Sequence, residues 1–192
     1  SIGSKITAAG VYKAPVAVIA ERSVENLAAM FGVLYAGCFY TVIDADMPAE
    51  RIKAIFETLN PAAVLVTDAC KSKICELDFG GTVLYYNEAA AYAPNKEVLR
   101  EIRNNAVDTD PAYVLFTSGS TGVPKGAVVN HRSVLAYIKW YADTFKINES
   151  TVFGSQTPFY FSMSVSDVFS TVYAGAELHI ICLLYTSDAA DD

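Results

Sequence analysis

At 192 residues, 53% of them apolar and 18% charged, the chain is long enough to bury a substantial core and too hydrophobic to be disordered. Its net charge of −7, with no Lys/Arg-rich run, argues against a nucleic-acid footprint, and no apolar stretch approaches the roughly 20 residues that cross a bilayer as a helix. Four scattered cysteines (Cys38, Cys70, Cys75, Cys182) and two histidines (His131, His179) lack zinc-type spacing, so no metal site is expected from these residues, and a reducing, cytoplasmic setting is.

The first dozen residues show no strong period and read as a frayed or interrupted start. Val16 to Ala20 suits a buried strand. Ser23 is then a helix N-cap, with Leu27, Met30, Phe31 and Leu34 at helical spacing as far as Gly37. Phe39 to Ile43 predicts a second strand, and the turn Asp44 to Pro48 leads into a helix in which Ile52, Ile55, Phe56 and Leu59 share a face. Pro61 ends it, and Ala62 to Val66 is a third strand; another is predicted over Thr82 to Tyr86. Strands alternating with helices at this spacing predict an α/β fold, mostly parallel sheet covered by helices. Residues 87–110 are polar and mixed, a connector with room for one short helix.

Tyr113 to Phe116 is an apolar run that stops at Thr117-Ser118-Gly119-Ser120-Thr121-Gly122; Pro124-Lys125-Gly126 follows, then a second apolar run from Ala127 to Val129. Two glycines, four hydroxyls and a lysine between two strands suit a polyphosphate, since glycine lets backbone amides approach an anion closely. The spacing is not that of a P-loop NTPase, where Gly-Lys and Ser or Thr follow the first glycine after four residues. The alternative is a Ser/Gly-rich surface turn. Further on, Val134, Ile138, Tyr141 and Phe145 predict an amphipathic helix over His131 to Phe145, with His131 as a helix-start or packing residue. Thr151 to Thr157 is a strand, and residues 158–181 read as turn, helix and strand.

The run from Tyr113 to Gly126, YVLFTSGSTGVPKG, resembles the signature loop of the adenylate-forming (AMP-binding) superfamily, and in particular adenylation domains of nonribosomal peptide synthetases. Leu34 to Arg51, LYAGCFYTVIDADMPAER, is similar to that family's upstream motif, in which Asp44, Glu50 and Arg51 form a charged turn and helix start and not an acid/base group. Phe161 and Ser164-Val165 match a later motif that lines the acyl pocket. The resemblance, over roughly residues 14–181, implies a partial N-terminal region of the adenylate-forming fold. It implies activation of a carboxylic acid with ATP and Mg2+ to acyl-AMP, with release of pyrophosphate and transfer to a carrier-protein phosphopantetheine or other thiol. Thr117, Ser118, Gly119, Ser120, Thr121, Gly122 and Lys125 are then the expected phosphate-binding set, Thr117 and Lys125 the expected catalytic contributors, and Phe161 and Ser162 the expected wall of the substrate pocket.

Ser162 departs from the family pattern, for amino-acid-activating members carry aspartate there to pair with the α-ammonium. Losing one partner of a buried pair costs about 3–5 kcal/mol. Asp167, five residues on, would lie about 140° around a helix from Ser162 and so could not substitute. The family's magnesium-binding acidic segment, ribose-binding aspartate and C-terminal lysine have no counterpart here, so the 192-residue chain alone is expected to form no acyl-adenylate. Cys182 to Asp192 departs from the family and is expected to be a non-native tail. Three alternatives stay open: an acyl-CoA ligase, a noncatalytic nucleotide-binding module, or a fragment that cannot fold because its sheet edges are unpaired.

Overall fold

A computed structural model describes residues 1–117 and 123–181, and the chain divides into two compact units, Ser1–His131 and Arg132–Asp192. The first contains strands β1 (Pro15–Ala20), β2 (Phe39–Asp44), β3 (Ala63–Val66), β4 (Thr82–Tyr85), β5 (Pro111–Thr117) and β6 (Lys125–Asn130) in one sheet of order β4-β3-β1-β2-β5-β6. Every pairing is parallel except β5 with β6. The helices are α1 (Ile2–Ala8), α2 (Val24–Tyr35), α3 (Ala49–Leu59), α4 (Lys71–Leu77) after a 3-10 turn at Asp68–Cys70, α5 (Tyr86–Ala91) and α6 (Lys96–Asn105); α7 (His131–Phe145) begins at the unit boundary.

Strand β1 lies inside the sheet, and Val16 to Ile19 are wholly buried. Ala17 and Ile19 join Ile43, Val64 and Val66 in a cluster with Ile52 and Ile55 of α3 and Ile74 and Leu77 of α4. Because side chains alternate along a strand, Val16 and Val18 face the opposite side, and α2, which packs on β1 and β2, supplies buried Ala29, Met30 and Val33. A sheet covered on both faces needs continuous apolar strands, as β1 and β3 have.

Ser23 caps α2 as expected, its hydroxyl accepting from the Asn26 amide at 3.3 Å. Helix α3 ends one residue before Pro61, on Asn60 in the left-handed conformation (φ 48°). Two regions differ from the expectations above. The frayed start is instead α1, whose Gly3 and Ser4 are buried; a Cβ on Gly3 would stand 3.1 Å from the Gly32 carbonyl oxygen, and the Ser4 hydroxyl accepts from the Asn95 amide at 2.9 Å. Its buried apolar residues are one pair four apart, Ile2 and Ile6, too short a run to stand out as a period. The connector holds two helices, not one; Asn95 caps α6 through its side chain, accepting from the Val98 amide at 3.1 Å. The 3-10 turn and α4 are not among the elements expected above, although Cys70, Ile74 and Leu77 are buried at helical spacing.

In the second unit, β7 (Val152–Ser155) and β8 (Glu177–Ile180) pair in parallel, joined by α8 (Ser164–Ala174), which packs on both. Val134, Ile138 and Ala142 are the buried stripe of α7, at four-residue spacing; Val165, Val168 and Phe169 are that of α8. Tyr137 and Ser166 link the two helices through their hydroxyls at 2.7 Å. Gly175, with φ 66°, ends α8 and turns the chain into β8.

Candidate functional site

The site is built on the β5–β6 hairpin. The two strands pair in antiparallel register from Pro111↔Asn130 to Thr117↔Lys125, so β6 begins at Lys125, two residues before the apolar run that marked it in the sequence. Thr117 and Lys125 are therefore cross-strand partners, about 4.5–5.5 Å apart at Cα, and both are solvent-exposed. Ser118, Gly119, Ser120, Thr121 and Gly122 lie outside the described residues. Gly126 is closely approached by its neighbours: a Cβ there would come within 2.8 Å of Val114 Cγ1 and 3.1 Å of the Phe116 ring. Phe116 in turn packs against the core cluster under α3, so the strand that carries Thr117 is anchored one residue earlier.

Arg51 reaches this place from α3. Its Nη2 donates to the Thr117 carbonyl oxygen at 3.2 Å. The approach follows from topology: β2 and β5 are parallel neighbours, so the turn leaving the C-terminal end of β2 stands beside the C-terminal end of β5. Asp44 organises that turn, its side chain accepting from the Asp46 amide at 2.9 Å and its carbonyl from the Met47 amide at 3.1 Å, and α3 starts at once. The charged turn and helix start read from Asp44, Glu50 and Arg51 is thus the structure found, with one long-range contact added that sequence spacing cannot reveal.

His131 is at the other end of the hairpin. Its amide donates to the Asp110 carbonyl oxygen at 3.1 Å, beside the start of β5, and the seven residues of that strand separate it from Thr117 by about 20 Å. Burial pushes the His131 imidazole below its usual pKa while the Asp110 carboxylate pulls it up; Asp110 itself is held low by the Val107 amide and by Lys13, whose Nζ is 3.1 Å away. This group latches the hairpin base, which fits the helix-start reading of His131.

Phe161 and Ser162 belong to the second unit. Both are exposed, in a turn fixed by the Phe161 amide donating to the Pro158 carbonyl at 3.0 Å and the Ser164 hydroxyl donating to the Phe161 carbonyl at 2.7 Å. Ser162 precedes α8, so the helical-wheel separation from Asp167 expected above does not hold: Asp167 is in the first turn of α8 and Ser162 is not helical. Among the described residues no three His, Cys, Asp or Glu side chains gather as a metal site would need, and no helix is long and apolar enough to cross a membrane.

A family model described as "AMP-binding enzyme" matches residues 1–186, a span that includes α1 and reaches into the tail. Bacitracin synthase 3 of Bacillus licheniformis is 35% identical over 167 residues, covering 86% of this chain and 2% of that protein; tyrocidine synthase 1 of Brevibacillus parabrevis is 30% identical over 166 residues, covering 86% and 15%. The nonribosomal peptide synthetase FmoA3 (S1046A) superposes with a TM-score of 0.76 at 30% identity, over 92% of this chain and 18% of that one. In fold alone, a fatty acyl-adenylate ligase from L. pneumophila is also similar, with a TM-score of 0.78 at 20% identity, over 98% of this chain and 34% of its own. The chain thus spans a small part of the relatives it matches, and it belongs to the AMP-binding family of adenylate-forming enzymes, in the company of nonribosomal peptide synthetase adenylation domains.

Proposed function

We propose that the protein to which this chain belongs activates a carboxylic acid with ATP. A carboxylate oxygen attacks the α-phosphorus, the bond from that phosphorus to the pyrophosphate oxygen breaks, and acyl-AMP and pyrophosphate result. A thiol, on a carrier-protein phosphopantetheine or another acceptor, then displaces AMP from the acyl carbon. The substrate carboxylate is its own nucleophile, so positioning and charge neutralisation supply most of the rate. The observation that carries the reading is the hairpin end, where Thr117 and Lys125 face each other across the mouth of a Ser/Thr/Gly loop. In this reading Thr117 and Ser118 to Gly122 hold the β- and γ-phosphates by amides and hydroxyls, and Lys125 offsets their charge. Structures of FmoA3 bear AMPPNP in one case and α-methyl-L-serine-AMP in another, which supports ATP as the co-substrate here. Mg2+ would offset phosphate charge when bound; among the described residues no three His, Cys, Asp or Glu side chains gather to hold it.

In the complete protein, ATP–pyrophosphate exchange tests this. Lys125→Met is expected to raise the KM for ATP by about tenfold or more, the worth of a charge-assisted contact, with the melting temperature unchanged because Lys125 is exposed. Unaltered kinetics would remove Lys125 from the site.

A second reading concerns the acid. Phe161 and Ser162 form one wall of the acyl pocket in this proposal, and Ser162 brings no charge where an α-ammonium would need a carboxylate. The serine favours an acid without an α-amine, such as a hydroxy or aryl acid, activated in the manner of an acyl-CoA ligase or a specialised adenylation domain. A panel of amino, hydroxy and aryl acids in the same exchange assay decides; preference for a plain α-amino acid defeats this reading and leaves the first intact.

A further inference from the structure

Arg51 is out of place by local rules. It lies in the first turn of α3, where the helix dipole favours anions and opposes a cation. Among the described residues it forms no ion pair with a carboxylate, although Glu50 precedes it and pairs instead with Lys53 at 3.9 Å. Its observed polar partner is the main-chain carbonyl of Thr117, 66 residues away in sequence, and that carbonyl ends β5. A guanidinium carries five donors in a rigid fork, so one bond to a carbonyl leaves others for a second acceptor. Thr117 stands opposite Lys125, so the strand end has a lysine across from it and an arginine bound to it. A residue that defies helix electrostatics to hold a distant strand end is where local and overall requirements diverge, and such conflicts mark functional positions.

We infer that Arg51 is a positioning residue for the polyphosphate of the nucleotide: through the Thr117 carbonyl it fixes the end of β5 opposite Lys125, and it adds a second positive charge there. This rests on the adenylation reading above. Anchoring comes from two directions, Phe116 into the core and Arg51 onto the next carbonyl, so the end of β5 is held by α3 and not by the hairpin alone.

The test uses the complete protein, with ATP–pyrophosphate exchange and separate KM values for ATP, pyrophosphate and the acid. Arg51→Met keeps the apolar stem and removes the fork. It is expected to raise the KM for ATP and for pyrophosphate about tenfold, while the KM for the acid and the thermal midpoint stay near wild type; Arg51→Lys, which retains the charge and can still donate to a carbonyl, recovers most of the loss. Lys53→Met, an exposed cation two residues along the same helix, serves as control and leaves all three constants unchanged. Equal loss in every constant together with a lowered midpoint would make Arg51 merely structural and overturn the inference, as would an Arg51→Met protein indistinguishable from wild type. A wild-type protein that exchanges pyrophosphate with no acid removes the adenylation reading and this inference with it, whereas active wild type with an unaffected variant removes the inference alone.

Discussion

The two units spend their apolar residues differently. In Ser1–His131 the strands β1 and β3 are buried along almost their whole length, and helices cover both faces. In Arg132–Asp192 the described sheet is one parallel pair of four-residue strands, and Trp140, Phe145, Val152, Phe161, Met163, Val172 and Tyr173 are all more than half exposed. Parallel strands normally occur in sheets covered on both sides, and a lone pair is marginal. The contrast teaches that the first unit carries its own core, while the second presents apolar surface that its described residues do not cover. It also separates two groups of proposed site residues: Thr117 follows Phe116, which packs on the core, and is held by Arg51, whereas Phe161 and Ser162 sit on an exposed turn.

The largest effect should come from burying a charge in the closed core. Val18→Asp places a carboxylate at a wholly buried position of β1 and is expected to abolish the folded state of the 192-residue chain, at a cost of several kcal/mol, about 4 or more. Val172→Asp, at a site 61% exposed, should change stability by no more than about 0.5 kcal/mol. Urea melts followed by circular dichroism measure both, and a collapse of the second variant would break the comparison by showing that this face of α8 is covered.

Gly126→Ala asks whether the hairpin edge is packed as firmly as the centre of its unit. The added methyl must displace the Val114 and Phe116 side chains, an overpacking expected to cost about 1–3 kcal/mol in the same melts. A neutral result would mean that the two side chains move aside freely and that the strand carrying Thr117 is not held from beneath.

The smallest effect is a pH dependence at the hairpin base. His131 titrates lower in the folded chain than the ordinary 6.5, so the unfolded chain binds the proton first, and stability is complete above that value and declines as pH falls through the interval below it. Asp110 also titrates low, so its contribution is present above the ordinary carboxylate value of 3.8 and is lost as pH falls through its folded pKa. Urea midpoints taken from about pH 7.5 down to about pH 2.5 should fall for the wild type in two limbs, and His131→Gln should flatten the upper limb, below about 6.5, while leaving the more acidic one. An unchanged slope in the variant would assign the loss to other groups.

Much of the first unit was legible because its strands are continuous apolar runs and its helices carry ordinary signals, as with Ser23 before α2 and Ile52 with Ile55 in α3. Helix α1 was not, since its seven residues bury a single apolar pair, Ile2 and Ile6, and otherwise pack through Gly3 and Ser4. Helix α6 was half seen: Val98, Leu99 and Ile102 are only half-buried beneath a charged exterior, so the run read as a polar connector. Of the site, Thr117 and Lys125 were readable from the motif that joins them. Arg51 was visible only as a charge at a helix start, because its bond to the Thr117 carbonyl depends on β2 and β5 lying side by side, which no local pattern encodes.

The strand order has a consequence for how this chain is made. Strands β4, β3, β1 and β2 are neighbours in the sheet and are all complete by Tyr85, whereas β5 and β6 join at the β2 side after a further stretch of helix and turn. Emerging from a ribosome, the residues of these four strands and their core are available before the hairpin exists, since synthesis runs from the N-terminal side. The hairpin pairs with the β2 edge at Tyr40 and Tyr113, whose rings stand 5.8 Å apart. Arg51 precedes Thr117 in the chain by 66 residues, so within the six-stranded sheet the hairpin is laid onto an edge whose residues are made before it.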